Sequence, residues 1–176
     1  MDLQEMNVFG TSKSFLSHDK ILEILKSIND ALERKNKCLS ITIYGGSCLC
    51  LITKYRESTY DIDVLTSDNS LLKECIREIG LSDDIVNTDI EVFLNKSERL
   101  NLYKRYSNLE VFVPSLDYLL AMKIRASREK DANDIKNLIE ELNIKTLKEL
   151  RDIFVKYYSP IQFNEHRIKF IKECIK

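Results

Sequence analysis

Gly45-Gly46-Ser47 and the acids Asp61 and Asp63 are the residues whose types and spacing could do chemistry together; thirteen residues separate Ser47 from Asp61. Without a Cβ at Gly45 or Gly46 the backbone can approach a ligand closely, and a helix opening there presents unpaired amides at the positive end of its dipole. That arrangement suits an anion. Ser47 either adds a hydroxyl to such a site or simply caps the helix. Asp61-Ile62-Asp63 supplies the opposite charge, because residues i and i+2 of a strand point to one face, roughly 7 Å apart along the backbone. Two acids among apolar neighbours repel each other and lose solvation, so they require a cation. A pair of Mg²⁺ ions about 3.5–4 Å apart fits that geometry, with Mn²⁺ as a substitute.

Two later residues belong with these. Lys123 falls near the middle of an apolar arc formed at helical spacing by Leu116, Leu119, Leu120, Met122, Ile124 and Ala126. An ammonium turned into a core is costly unless negative charge meets it; Lys123 either emerges beside the acid pair or snorkels to water. Asp131 lies in the inward arc of the next helix, with Ala132, Ile135, Leu138, Ile139 and Leu142, and Asp134 stands at its edge. It is either held by a cation such as Lys123 or Arg128, or is an acid favoured at a helix start by the dipole.

These residues need a scaffold, and the hydrophobic periodicity supplies one. Residues 1–16 read as an arm. Ser17 opens a helix in which Ile21, Ile24, Leu25, Ile28 and Leu32 recur, ending near Lys35-Asn36. The run 39–44 is a buried strand leading into Gly45-Gly46, followed by a short helix from Ser47 to about Thr53. Residues 54–59 form a polar loop whose bases reach phosphate or merely face water. Residues 60–65 are the acid-bearing strand, and 67–70 start a helix that stops at Gly80. Residues 89–94 read as a strand, 95–107 as irregular, and 109–113 as a strand stopped by Pro114. From Ser115 to the end the chain is helical, with the last two helices at about 146–157 and 164–176. Glu91 and Glu110 stand between apolar residues of the strands at 89–94 and 109–113, and each fits an edge acid facing water.

At 176 residues with 44% hydrophobic content, the chain can bury an ordinary core. Its net charge of −1 argues for no partner, but the distribution is uneven. Residues 57–91 carry ten acids and two bases, while 145–176 carry eight Lys or Arg and four acids. An acidic centre beside a basic tail fits metal next to a polyanion, although a solvated helix face explains the tail as well. Five cysteines, odd in number and with no C-x-x-C pair, read as reduced thiols of a cytoplasmic protein. No secretory signal or membrane-length apolar run is present, so no membrane partner is expected.

The joint pattern of Gly45-Gly46-Ser47 and Asp61-Ile62-Asp63 resembles the DNA polymerase β-like nucleotidyltransferase superfamily. The stretches 108–115, 118–123 and Arg128-Glu129-Lys130-Asp131 with Asp134-Ile135 resemble a compact prokaryotic group related to the AbiEii and MenT toxin-type enzymes. The resemblance implies an α+β fold with a mixed sheet of about four strands, flanking helices and a helical C-terminal half. It implies a nucleotidyltransferase core at 1–114 and a helical subdomain at 115–176. It also implies Mg²⁺-dependent transfer of a nucleoside monophosphate from a triphosphate to an acceptor hydroxyl, in some relatives on tRNA as the toxin partner of an antitoxin protein. By the same resemblance Gly45, Gly46, Ser47 and Lys123 bind the nucleotide, Asp61 and Asp63 the metal, with Glu110, or in competition Glu91, as a third carboxylate ligand on a neighbouring strand, and Asp131 accompanying Lys123. An antibiotic-type hydroxyl as acceptor, and a non-catalytic nucleotide-binding or antitoxin-like module, are the alternatives.

Overall fold

The computed structural model describes residues 15–90 and 99–175. A two-stranded ribbon pairs β1 (Leu16–Ser17) with a later strand, β3 (Ser58–Thr59). Between them α1 (His18–Arg34) buries Ile21, Ile24, Leu25, Ile28, Ala31 and Leu32 along one face, as the three- and four-residue spacing dictates. Ser17 begins α1 as expected, its hydroxyl accepting from the Lys20 amide at 3.3 Å.

The main sheet is mixed, as expected, and has five strands, in keeping with the expected about four. Its members are β2 (Leu39–Tyr44), β4 (Ile62–Thr66), β5 (Val86–Asn87), β6 (Leu100–Arg105) and β7 (Leu109–Pro114), in the order β5-β4-β2-β7-β6. The central strand β2 runs antiparallel to β4, with Ile43 opposite Val64 and Tyr44 opposite Asp63. It runs parallel to β7, with Ile41 opposite Val111 and Ser40 opposite Glu110. Residues paired across strands share a face, so Ile41, Ile43, Val64 and Val111 form one buried side, and Tyr44 and Asp63 belong to the other.

Several boundaries differ from the sequence reading. The helix α2 (Gly45–Ile52) starts at Gly45, two residues early. Asp61 precedes β4 in a bend instead of lying on the strand. Residues 100–105, read as irregular, form the edge strand β6; nearly all its side chains are exposed, so Asn101, Lys104 and Arg105 obscure any alternation. Asp89 and Ile90 lie in a turn after β5, and residues 91–98, Glu91 among them, fall outside the described residues. The helix α3 (Asn69–Glu78) is capped by Asp68, which accepts from the Leu71 amide at 2.9 Å, and Gly80 follows in the left-handed region at φ +79°.

After Pro114 the chain is helical, as expected: α4 (Leu116–Ala126), α5 (Ala132–Glu141), α6 (Leu147–Tyr157) and α7 (Glu165–Cys174). Ser115 is the N-cap residue of α4, but its side chain makes no capping bond. Thr146 and Glu149 form a reciprocal capping box at the start of α6. One buried cluster contains α1 and sheet residues together with Leu119, Ile124, Ile135, Leu138 and Phe154 of the helical half. All five thiols are free. Among the described residues no helix is long and apolar enough to cross a membrane.

Candidate active site

The site forms where β2 ends and α2 begins without an intervening loop. Gly45 sits at φ +60°, and a Cβ there would run into the Asp63 carboxylate on the adjoining strand. Only glycine both adopts that conformation without strain and lets the acid come so close. At Gly46 a Cβ would stand 2.8 Å from Thr59 Oγ1 and 3.1 Å from an Arg56 guanidinium nitrogen. Both glycines face a cleft of about 600 Å³ that Asp61, Asp63, Lys123 and Asp131 also line.

Ser47 is placed differently from the expectation. It is the third residue of α2 and is buried, its hydroxyl donating to the Tyr44 carbonyl at 2.9 Å and accepting from the Asp63 amide at 3.3 Å. It fastens the start of the helix to the acid-bearing strand and is not among the residues lining the cleft. With its proton spent on the Tyr44 carbonyl, one lone pair on the Asp63 amide and the residue 1% exposed, this hydroxyl is a positioning group.

Asp63 Oδ1 accepts from Asn87 Nδ2 at 2.8 Å, and Asn87 Oδ1 in turn accepts from the Asp89 amide at 3.1 Å. Burial pushes the Asp63 carboxyl above the usual carboxylate range. The Asn87 hydrogen bond opposes that shift, the nearby Asp61 charge adds to it, and Lys123 and Lys130 oppose it more weakly. The protein's own cations thus leave negative charge under-compensated at this point. Asp61 and Asp63 offer oxygen donors only, and Mg²⁺ is held through one or two carboxylates with substrate phosphates completing its shell. The pair fits that ion; among the described residues no group of three or more acids, histidines or cysteines forms a ready-made cage.

Lys123 is buried, and its ion-pair partners are Asp131 at 2.7 Å and Asp134 at 2.8 Å. Asp131 is thus held by the Lys123 cation, and it also stands at the N-cap position of α5, so both explanations apply to it. Asp134 is 1% exposed and also takes both of its oxygens to Arg56 Nη1 at 2.9 Å, while Arg56 Nε donates to the Ser58 carbonyl at 2.9 Å. Two cations and two carboxylates therefore form one low-lying network at the cleft wall. Sequence reading missed Arg56 and Asp134 as members. The available signal was charge balance, since two inward acids on one helix start need more than Lys123 alone.

Glu110 stands apart from the cleft, contrary to expectation. It shares the Asp63 face of the sheet but is paired with Ser40, four residues back along β2 from Tyr44, which is about 13 Å at strand rise. Its carboxylate is bound by Arg105 Nε at 2.8 Å, and it does not line the cleft. Glu110 is a surface ion-pair residue, not a third metal ligand. Arg128 and Lys130 line the cleft as well, beside Tyr44, Tyr60, Asn87 and Asp89.

A family model described as "Nucleotidyltransferase of unknown function (DUF6036)" matches residues 19–174, most of the chain. No curated protein and no solved structure was found to match.

Proposed function

We propose that this chain, which belongs to that family of nucleotidyltransferases of unknown function, moves a nucleoside monophosphate from a triphosphate to an acceptor hydroxyl. The observation that carries the reading is the contact between Gly45 and the Asp63 carboxylate, which sets an anion-accepting helix start against a partly buried acid in one cleft. In the reaction the acceptor oxygen bonds to the α-phosphorus as the bond from that phosphorus to the bridging oxygen breaks. Pyrophosphate leaves and the hydroxyl proton is released.

The amides of Gly45 and Gly46 bind terminal phosphate oxygens at the positive end of α2. Asp61 and Asp63 hold Mg²⁺, which when bound supplies the positive charge that triphosphate and in-line displacement require. Lys123, steadied by Asp131 and Asp134, places an ammonium at the same cleft and offsets charge on the transferring group. Arg128 and Lys130 add positive charge toward an anionic acceptor. An RNA acceptor carries the charge this favours; that it is tRNA-like, and that the chain acts as a toxin restrained by a cognate antitoxin, rests on the sequence resemblance alone.

The experiment is incubation with labelled triphosphate, Mg²⁺ and total tRNA. Wild-type protein labels the RNA, and Asp63→Ala lowers labelling on the order of 10²–10³-fold or more. Undiminished labelling by Asp63→Ala removes the acid pair from the reaction.

A further inference from the structure

Phe15 and Tyr60 lie ring beside ring at the surface, their centroids 4.6 Å apart and their planes tilted by 35°. The antiparallel ribbon of β1 and β3 brings them together: Leu16 pairs with Thr59, so the residue before one strand meets the residue after the other. Phe15 is 64% exposed and Tyr60 49% exposed, so the pair leaves a large aromatic surface in water. Tyr60 lines the cleft and immediately precedes Asp61, whereas Phe15 is not a lining residue. The aromatic surface therefore begins inside the cleft and runs out of it. Of these two rings a nucleotide seated wholly within the cleft meets only Tyr60, whereas a polymer leaving the cleft on this side passes over both. Every nucleobase offers a π face to such a surface whatever its identity. Arg128 and Lys130 on the same cleft supply charge of the sign a phosphate backbone needs.

We infer that Tyr60, backed by Phe15, stacks a base of a single-stranded nucleic-acid acceptor close to the hydroxyl that is modified. This rests on the nucleotidyl-transfer reading and names the acceptor class for the same site. The probe is a short fluorescein-labelled oligouridine, followed by anisotropy, beside an abasic strand of the same length that keeps the phosphates and lacks the bases. Wild-type protein binds the oligouridine more tightly than the abasic strand. Tyr60→Leu weakens oligouridine binding by about 5- to 150-fold, the span of single base-stacking losses, and leaves the abasic strand unaffected. Tyr60→Trp restores binding, Phe15→Leu gives a smaller loss of the same kind, and Ile161→Ala, at an exposed residue away from the cleft, changes nothing. Equal binding of oligouridine by wild type and Tyr60→Leu overturns the inference, as does equal binding of the two strands or none of either. Pyrophosphate release is measured separately. Tyr60-dependent binding without release defeats the reaction and keeps the stacking surface; release without Tyr60-dependent binding defeats the surface alone.

Discussion

Asp63 is where function and stability pull against each other. Burial, with Asp61 nearby, holds its folded-state pKa above the ordinary carboxylate value, so the folded protein binds that proton more tightly than the unfolded chain. Stability from this group is therefore fully present below the unfolded pKa and is lost as pH rises through the raised folded pKa. Asp63→Asn removes the partly buried charge while keeping an oxygen for Asn87. The variant should lose transfer yet gain about 0.5–2 kcal/mol of stability at neutral pH. That advantage should shrink toward zero in acid, at about pH 3. Thermal melts of both proteins across that range check it, and a constant difference at all pH values counts against it. Mg²⁺ should close part of the gap at neutral pH by raising the melting temperature of the wild type more than that of Asp63→Asn.

One network joins the loop before β3 to α4 and α5. Arg56 reaches Asp134 at 2.9 Å, and Lys123 bridges Asp131 and Asp134, so a loop, a helix and the start of the next helix share charge in a buried place. Removing one member of a buried network leaves its partners uncompensated, so Asp134→Ala should cost about 3–5 kcal/mol. Glu110→Ala, which breaks the exposed pair with Arg105 and a 3.4 Å hydrogen bond from Ser40 Oγ, should cost about 0–1 kcal/mol and leave Mg²⁺-dependent transfer unchanged. Urea unfolding of the two variants makes the comparison; similar losses would mean the network adds nothing. The contrast also marks what the chain could reveal unaided. Gly45-Gly46 after an apolar run, and two acids flanking Ile62, were legible because each signal is local. For Glu110, alternation fixes which strand neighbours share its face, but its place beside β2 depends on register, which alternation does not encode. Arg56 and Asp134 meet across 78 positions of sequence, and no periodicity links a loop arginine to a helix-edge acid. The two-residue strands β1 and β3 are too short to show a pattern at all.

The sheet and the helical half share one core, and the aromatic residues show how far the sharing extends. From α6, Phe154 packs on Tyr158 with centroids 5.3 Å apart and on Phe163 at 5.4 Å. Tyr158 lies 6.5 Å from Tyr118 of α4, and Tyr118 lies 6.5 Å from Tyr44, the last residue of the central strand and a wall of the cleft. Rings thus connect the C-terminal helices to the residue that precedes Gly45. Because the residues on both sides of Pro114 bury the same apolar surface, neither side can lose its packing alone. The chain should unfold in one cooperative transition, with far-UV circular dichroism and near-UV tyrosine signals coinciding. Phe154→Ala should lower that single transition by about 3–5 kcal/mol and move both signals together, although Phe154 lies in a helix distant in sequence from the glycine turn. If the variant instead splits the transition, with helical signal lost before the environment of Tyr44 changes, the helical half is an independent unit. The cleft wall then owes nothing to its packing.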